Sequence, residues 1–151
     1  MNQGTPTREE ILAAYDAEEA ALRELSSRIS DEQWSGLKRG DGWTIHDIIA
    51  HIGEGAYGLA RLAAVRPNMT IDLAELNEQR RQKSRALGRA EVEQRLASGF
   101  GAGRALLATD VDLGERLAGG PFPGVPVGAL LLRLATHSAE HRQEIEAMLA
   151  A

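Results

Sequence analysis

Pro126-Val127-Gly128-Ala129-Leu130-Leu131-Leu132-Arg133-Leu134-Ala135-Thr136-His137-Ser138-Ala139-Glu140-His141-Arg142-Gln143-Glu144-Ile145-Glu146-Ala147-Met148 is the stretch that decides the fold. Proline is welcome in the first turn of a helix. Beyond it, Val127, Leu130, Leu131, Leu134, His137, His141, Ile145 and Met148 recur at helical spacing to the C-terminus. On a wheel of 100° per residue with His137 at the origin, His141 lies at about 40°, Leu130 and Met148 at about 20°, Leu134 at about 60° and Ile145 at about 80°. Both histidines therefore fall inside the apolar stripe. Two imidazoles there need partners, because unpaired buried polar groups are costly. Spacing of i, i+4 is also how one helix offers two nitrogens to one metal ion.

Upstream, further helices are predicted. Thr7 and Glu10 form a capping-box pattern opening a first helix to about Ile29. A short turn carrying Trp34 follows, and Ser35–Gly42 reads as a glycine-rich loop. Thr44 caps a second helix, with Asp47 favourably placed in its first turn, and Arg66-Pro67-Asn68 ends it after Val65. Asp72 caps a third, shorter helix ending near Leu87-Gly88. A fourth runs from Arg89 to about Thr109. Gly99, Gly101 and Gly103 each cost that helix roughly 1 kcal/mol against Ala, so it either breaks there or packs closely against a neighbour. Gly119–Pro126 is irregular. The expectation is a single all-α domain over residues 1–151, with four long helices and one shorter crossover element.

Composition narrows the function. The 151 residues contain no cysteine, which excludes disulfides, thiolate metal sites and a cysteine nucleophile. Lys+Arg total 17 against 22 Asp+Glu, a net charge of −5, so the electrostatic footprint of a nucleic-acid binder is absent. No run reaches the roughly 18 apolar residues of a membrane span. The N-terminus resembles neither a signal peptide nor a myristoylation site. A soluble, cytoplasmic protein is expected.

Four histidines remain to be placed. With His51 as the origin of the second helix, Leu62 falls at about 20°, Ile48 at about 60° and Leu59 at about 80°, which puts His51 at the edge of the apolar face. His46 lies about 140° away and is excluded from any shared site. His51, His137 and His141 can form a three-imidazole divalent metal site with an open position; they can equally be core histidines satisfied by carboxylates and backbone.

Trp43-Thr44-Ile45-His46-Asp47-Ile48-Ile49-Ala50-His51 resembles the W-S/T-x-x-D/E-x-x-x-H segment of the DinB/YfiT-like metal-binding four-helix bundles. That superfamily includes mycothiol-dependent maleylpyruvate isomerases and bacillithiol transferases. His137-Ser138-Ala139-Glu140-His141-Arg142-Gln143-Glu144-Ile145 is similar to its final-helix H-x-x-E-H-R-x-x-I segment, and Ile71–Arg80 to the crossover of one branch. The resemblance implies that His51, His137 and His141 ligate the metal. It also implies an up-and-down bundle with a long crossover carrying a short extra helix, and a homodimer. It does not fix the reaction. One departure is Val127, where relatives often carry a Ser or Thr cap.

Around the histidines, Asp47 can hold an imidazole N–H or simply support its helix N-terminus. Glu144 can act as fourth ligand, base or partner of an imidazole, or be solvated, and Glu54 has the same ambiguity. Arg142 can meet a substrate carboxylate or form a structural salt bridge. Asn77 and Arg80 share one face of the crossover helix, and the resemblance makes them candidate substrate contacts. Arg80, Arg81, Lys83 and Arg85 otherwise read as a solvated basic face. Trp43 and Tyr57 read as core or pocket wall. Three functions follow: an enzyme activating a small soluble thiol or water on one divalent metal (zinc or nickel, with iron also compatible); a metal-containing protein that binds small molecules without turnover; or a structural bundle with no metal.

Overall fold

The computed structural model describes residues 4–151, and these form six helices. They are α1 (Arg8–Ser27), α2 (Asp31–Gly36), α3 (Ile45–Val65), α4 (Leu73–Ser84), α5 (Arg89–Leu107) and α6 (Val127–Ala150). The readings of the extreme N-terminus concern Met1, Asn2 and Gln3, which lie outside the described residues. No described helix is long and apolar enough to cross a membrane.

The local signals act where expected. Thr7 Oγ1 accepts the Glu10 N–H at 3.1 Å and Glu10 returns the bond to the Thr7 N–H at 3.4 Å. Thr44 and Asp47 make the same reciprocal pair on α3, both bonds 3.1 Å. Asp72 caps α4. The Trp34 turn is a capped helix in its own right, and α4 ends at Ser84, a few residues before the expected Leu87-Gly88.

Contacts along the helices give their directions. Tyr15 donates to the Leu131 carbonyl and Arg28 approaches Glu146, so α1 and α6 run parallel. Ser26 meets Glu93 while Asp16 meets Arg104, so α5 runs against α1. Arg39, just before α3, reaches Glu144, and His51 reaches His137, so α3 runs against α6. It follows that α3 and α5 are parallel. The crossover carrying α4 makes this possible, and it interrupts the alternation of a plain up-and-down bundle once. Around the bundle the order is α1–α6–α3–α5.

The glycines of α5 do not break it. A Cβ on Gly99 would stand 2.8 Å from the Gly53 carbonyl oxygen and 2.8 Å from Ala56 Cβ, so α3 and α5 approach to backbone contact there. Gly103 makes room for Tyr15, whose hydroxyl would lie 2.8 Å from a Cβ at that position. Gly101 faces open space. Ile11, Tyr15, Leu25, Ile48, Phe100, Leu130, Leu134 and Ile145 fill the core between the helices. Each large apolar side chain buried this fully is worth about 1.5–3 kcal/mol over exposure.

The missing Ser/Thr cap on α6 is replaced by backbone. The N–H groups of Val127 and Gly128 donate to the Glu115 and Leu113 carbonyls, each at 2.8 Å, across the turn that precedes the helix.

Candidate metal centre

α3 and α6, packed antiparallel, bring His51 to the His137 and His141 pair, 86 residues from His137 in the chain. His51 Nε2 lies 3.2 Å from His137 Nε2, and His141 Nε2 lies 3.2 Å from the same atom. One ligand atom from each residue falls within 4.8 Å of the other two, so the group could hold a metal ion. Nitrogens about 2.0–2.1 Å from a tetrahedrally bound ion stand roughly 3.3–3.4 Å apart, and the observed separations are close to that. Burial, then repulsion from neighbouring imidazoles, pushes His51 down to about 3. Burial and His141, with Arg133, push His137 down to about 4. Both are neutral at pH 7, the form a metal needs.

A shell of side chains holds these rings. Trp43 packs edge-on against His51 with ring centroids 5.5 Å apart. Gly55 leaves room for His137: a Cβ there would stand 3.2 Å from His137 Cε1 and 3.4 Å from Nδ1. His141 Nδ1–H donates to Glu144 Oε2 at 2.8 Å, and Arg39 Nη1 donates to the same oxygen at 2.6 Å. Burial opposes the Glu144 charge, but these two hydrogen bonds outweigh it and hold the carboxyl below its usual range.

His51 and His137 also line a cavity of about 510 Å³ between α3, α4 and the segment before α6. Leu59, Leu62, Ile71, Leu76 and Phe122 make its apolar wall. Asn77 and Arg80 face it from α4, Arg61 from α3 and Arg133 from α6, and no carboxylate lines it among the described residues. Arg80 lies across Gly58, where a Cβ would come within 3.1 Å of its Nη1.

Other expected site residues stand elsewhere. Asp47 is 3% exposed and serves the α3 cap and the guanidinium groups of Arg81 and Arg85, at 3.5 and 3.7 Å, with no bond to an imidazole. Glu54 pairs with Arg95 at 3.2 Å. Arg142 points away from the cavity to the buried Glu18, at 2.9 and 3.2 Å, so the salt-bridge alternative holds. Tyr57 is 48% exposed and is neither core nor cavity wall, because it leaves α3 on the side away from His51. The basic run on α4 is not uniformly solvated: Arg81 is 15% exposed and its guanidinium stacks 5.0 Å from the Trp43 ring centroid. His46 lies apart, accepting from Trp34 Nε1 at 2.8 Å and donating to the Ser84 carbonyl at 2.9 Å. It thereby ties α2, α3 and α4 together. Sequence reasoning passed over Arg39, Arg61, Arg133, Gly55 and Gly58. For the two glycines a signal existed, since both fall within about 40° of His51 on the helical wheel.

No curated protein and no solved structure matches the chain. A family model does: it covers residues 5–145, which include all three clustered histidines. On that match, the chain belongs to the DinB superfamily.

Proposed function

We propose that His51, His137 and His141 hold one divalent ion, zinc or nickel with iron also compatible. On this reading the chain is a cytoplasmic enzyme of the thiol S-transferase or isomerase type, acting on a small anionic molecule. The observation that carries the reading is the convergence of three Nε2 atoms, two of them from residues that line the cavity. A divalent ion bound there supplies Lewis acidity, which lowers the pKa of a small thiol or of water. Neutral imidazoles leave that charge undiminished. Arg80, Asn77 and Arg61 are placed to orient an anion beside the apolar wall. With no cysteine in the chain, any thiol is a soluble cosubstrate.

A second reading, binding without turnover, is favoured by one observation. Among the described residues the cavity has no carboxylate in its lining, and Asp47, Glu54 and Glu144 are all engaged by arginines, so no free carboxylate base faces it. Product formation from a thiol and a model electrophile, followed by mass spectrometry, separates the two.

The founding test is elemental analysis of the purified protein beside His51→Ala, without added metal. One equivalent per chain, lost in the variant, is expected. No metal in either, even after reloading with zinc and nickel, overturns the site and the enzyme reading with it. Sedimentation of the same sample checks the homodimer that family membership suggests.

A further inference from the structure

We infer that Arg39 is a positioning residue for the histidine cluster, acting through Glu144 to fix which nitrogen His141 turns inward. Its bearing on metal binding rests on the reading above. A carboxylate can only accept hydrogen bonds, so Arg39 and His141 both donate to Glu144 Oε2, at 2.6 and 2.8 Å. His141 therefore carries its proton on Nδ1 and presents the Nε2 lone pair to His137 and His51. On its own, Glu144 is a half-exposed side chain near the end of a helix, with rotamer freedom to lose.

Arg39 supplies a fixed anchor from outside α6. Its Nε and Nη2 donate to Asp41 at 3.0 and 2.7 Å, and its guanidinium lies 5.0 Å from the Trp43 ring centroid. Its backbone is held as well. The Arg39 N–H donates to the Trp43 carbonyl at 2.7 Å, and the Gly42 N–H donates to the Arg39 carbonyl at 2.8 Å. Gly42 closes that turn at φ 89°, in the left-handed region that suits glycine. One planar fork thus spans two carboxylates, and the loop that carries it also places Trp43 against His51. A hydrogen-bond partner on the far nitrogen of a ligating imidazole sets both its tautomer and its orientation.

The test uses Arg39→Gln, Glu144→Gln and the double variant, with two readouts. In the metal-free full chain, proton–nitrogen correlation spectra report the His141 tautomer. Wild type is expected to show a single Nδ1–H form, and Arg39→Gln a mixture of tautomers. In a cobalt(II) competition titration, each single variant is expected to bind about 10- to 100-fold more weakly. The double variant should be no worse than Glu144→Gln, because both changes act along one path. An unchanged tautomer in Arg39→Gln overturns the inference. So do additive losses, or a gain in affinity from the freed carboxylate joining the ion. The spectra need no metal, so a wild type that takes up no cobalt sinks the metal reading while they still decide the role of Arg39. Glu144→Gln keeps the question open to test should Arg39→Gln fail to fold.

Discussion

Replacing Gly55 by Ala should raise the stability of the metal-free chain and lower its affinity for metal, two effects of opposite sign from one methyl group. Gly55 lies in the interior of α3, where glycine costs about 0.5–1 kcal/mol against alanine. That gain corresponds to an increase in Tm of about 1–4 °C for a domain of this size. The new Cβ would stand 3.2 Å from His137 Cε1, whereas carbon contacts are comfortable at about 3.5–4.0 Å. The ring must therefore retreat by about 0.3 Å or more, against a tolerance of about ±0.2 Å in metal–ligand distance. An affinity loss of about tenfold, ~1.4 kcal/mol, follows. Gly58→Ala is the internal control: its Cβ meets only the far end of the Arg80 side chain, at 3.1 Å from Nη1. It should bring the same helical gain and leave metal binding alone. Urea unfolding in chelator measures the first effect, and competition against a zinc indicator measures the second. Unchanged affinity in Gly55→Ala would refute His137 as a ligand seated on Gly55. Equal losses in both variants would place the effect in the cavity and not in the imidazole.

Three further outcomes are expected. Gly99→Ala drives a methyl into the Gly53 carbonyl and Ala56 at 2.8 Å. Overpacking costs about 1–3 kcal/mol, so the urea midpoint should fall despite the better helix former, and a rise would contradict the close α3–α5 approach. Glu18→Ala removes the buried partner of Ser138 and of Arg142, which keeps only Glu146 at 3.5 Å, and should cost up to about 3 kcal/mol, the low end for breaking a buried pair; a loss within error would show the pair to be solvated. The metal-free chain should weaken as the pH falls below about 6.5. Unfolded imidazoles take up protons there, while burial holds His51 near 3 and His137 near 4 in the folded chain. The unfolded state then binds more protons and stability falls with pH. Urea midpoints from neutral to mildly acidic pH check this, and the slope should shrink in His51→Ala.

What was legible in the sequence was local. The Thr7, Thr44 and Asp72 caps involve residues three apart, and the stripe that turns His137 and His141 inward is one helix's periodicity. That His51 joins them was not legible from spacing, because 86 residues separate it from His137; a resemblance spanning both segments was needed. Arg39 and Arg81 were hidden for a different reason. A long cation in a glycine-rich loop or a basic run looks solvated, and only the fold lays both against Trp43. Helix direction has no sequence period at all, so nothing along the chain indicated that α3 and α5 run parallel. The helical wheel carried more than was drawn from it at Tyr57, which points about 120° from His51, while at Arg142, about 100° from His141, it agrees with the pairing to Glu18.

The two faces of α3 divide close helix packing from the histidine cluster. At its back, Gly53 and Ala56 let the α5 backbone come into contact through Gly99, with no long side chain to yield. At its front, His51, Gly55 and Gly58 carry one clustered imidazole and two gaps, one filled by His137 and the other by Arg80. Tight packing behind makes the front a rigid floor, so a small displacement at Gly55 cannot be absorbed by backward movement of the helix. A side chain forced in behind should loosen the bundle without reshaping the gap in front. In a Gly55→Ala, Gly99→Ala chain, the stability changes should therefore nearly add, while the whole loss of metal affinity should belong to Gly55. If Gly99→Ala alone weakens metal binding as much as Gly55→Ala does, α3 shifts as a unit and the floor is not rigid.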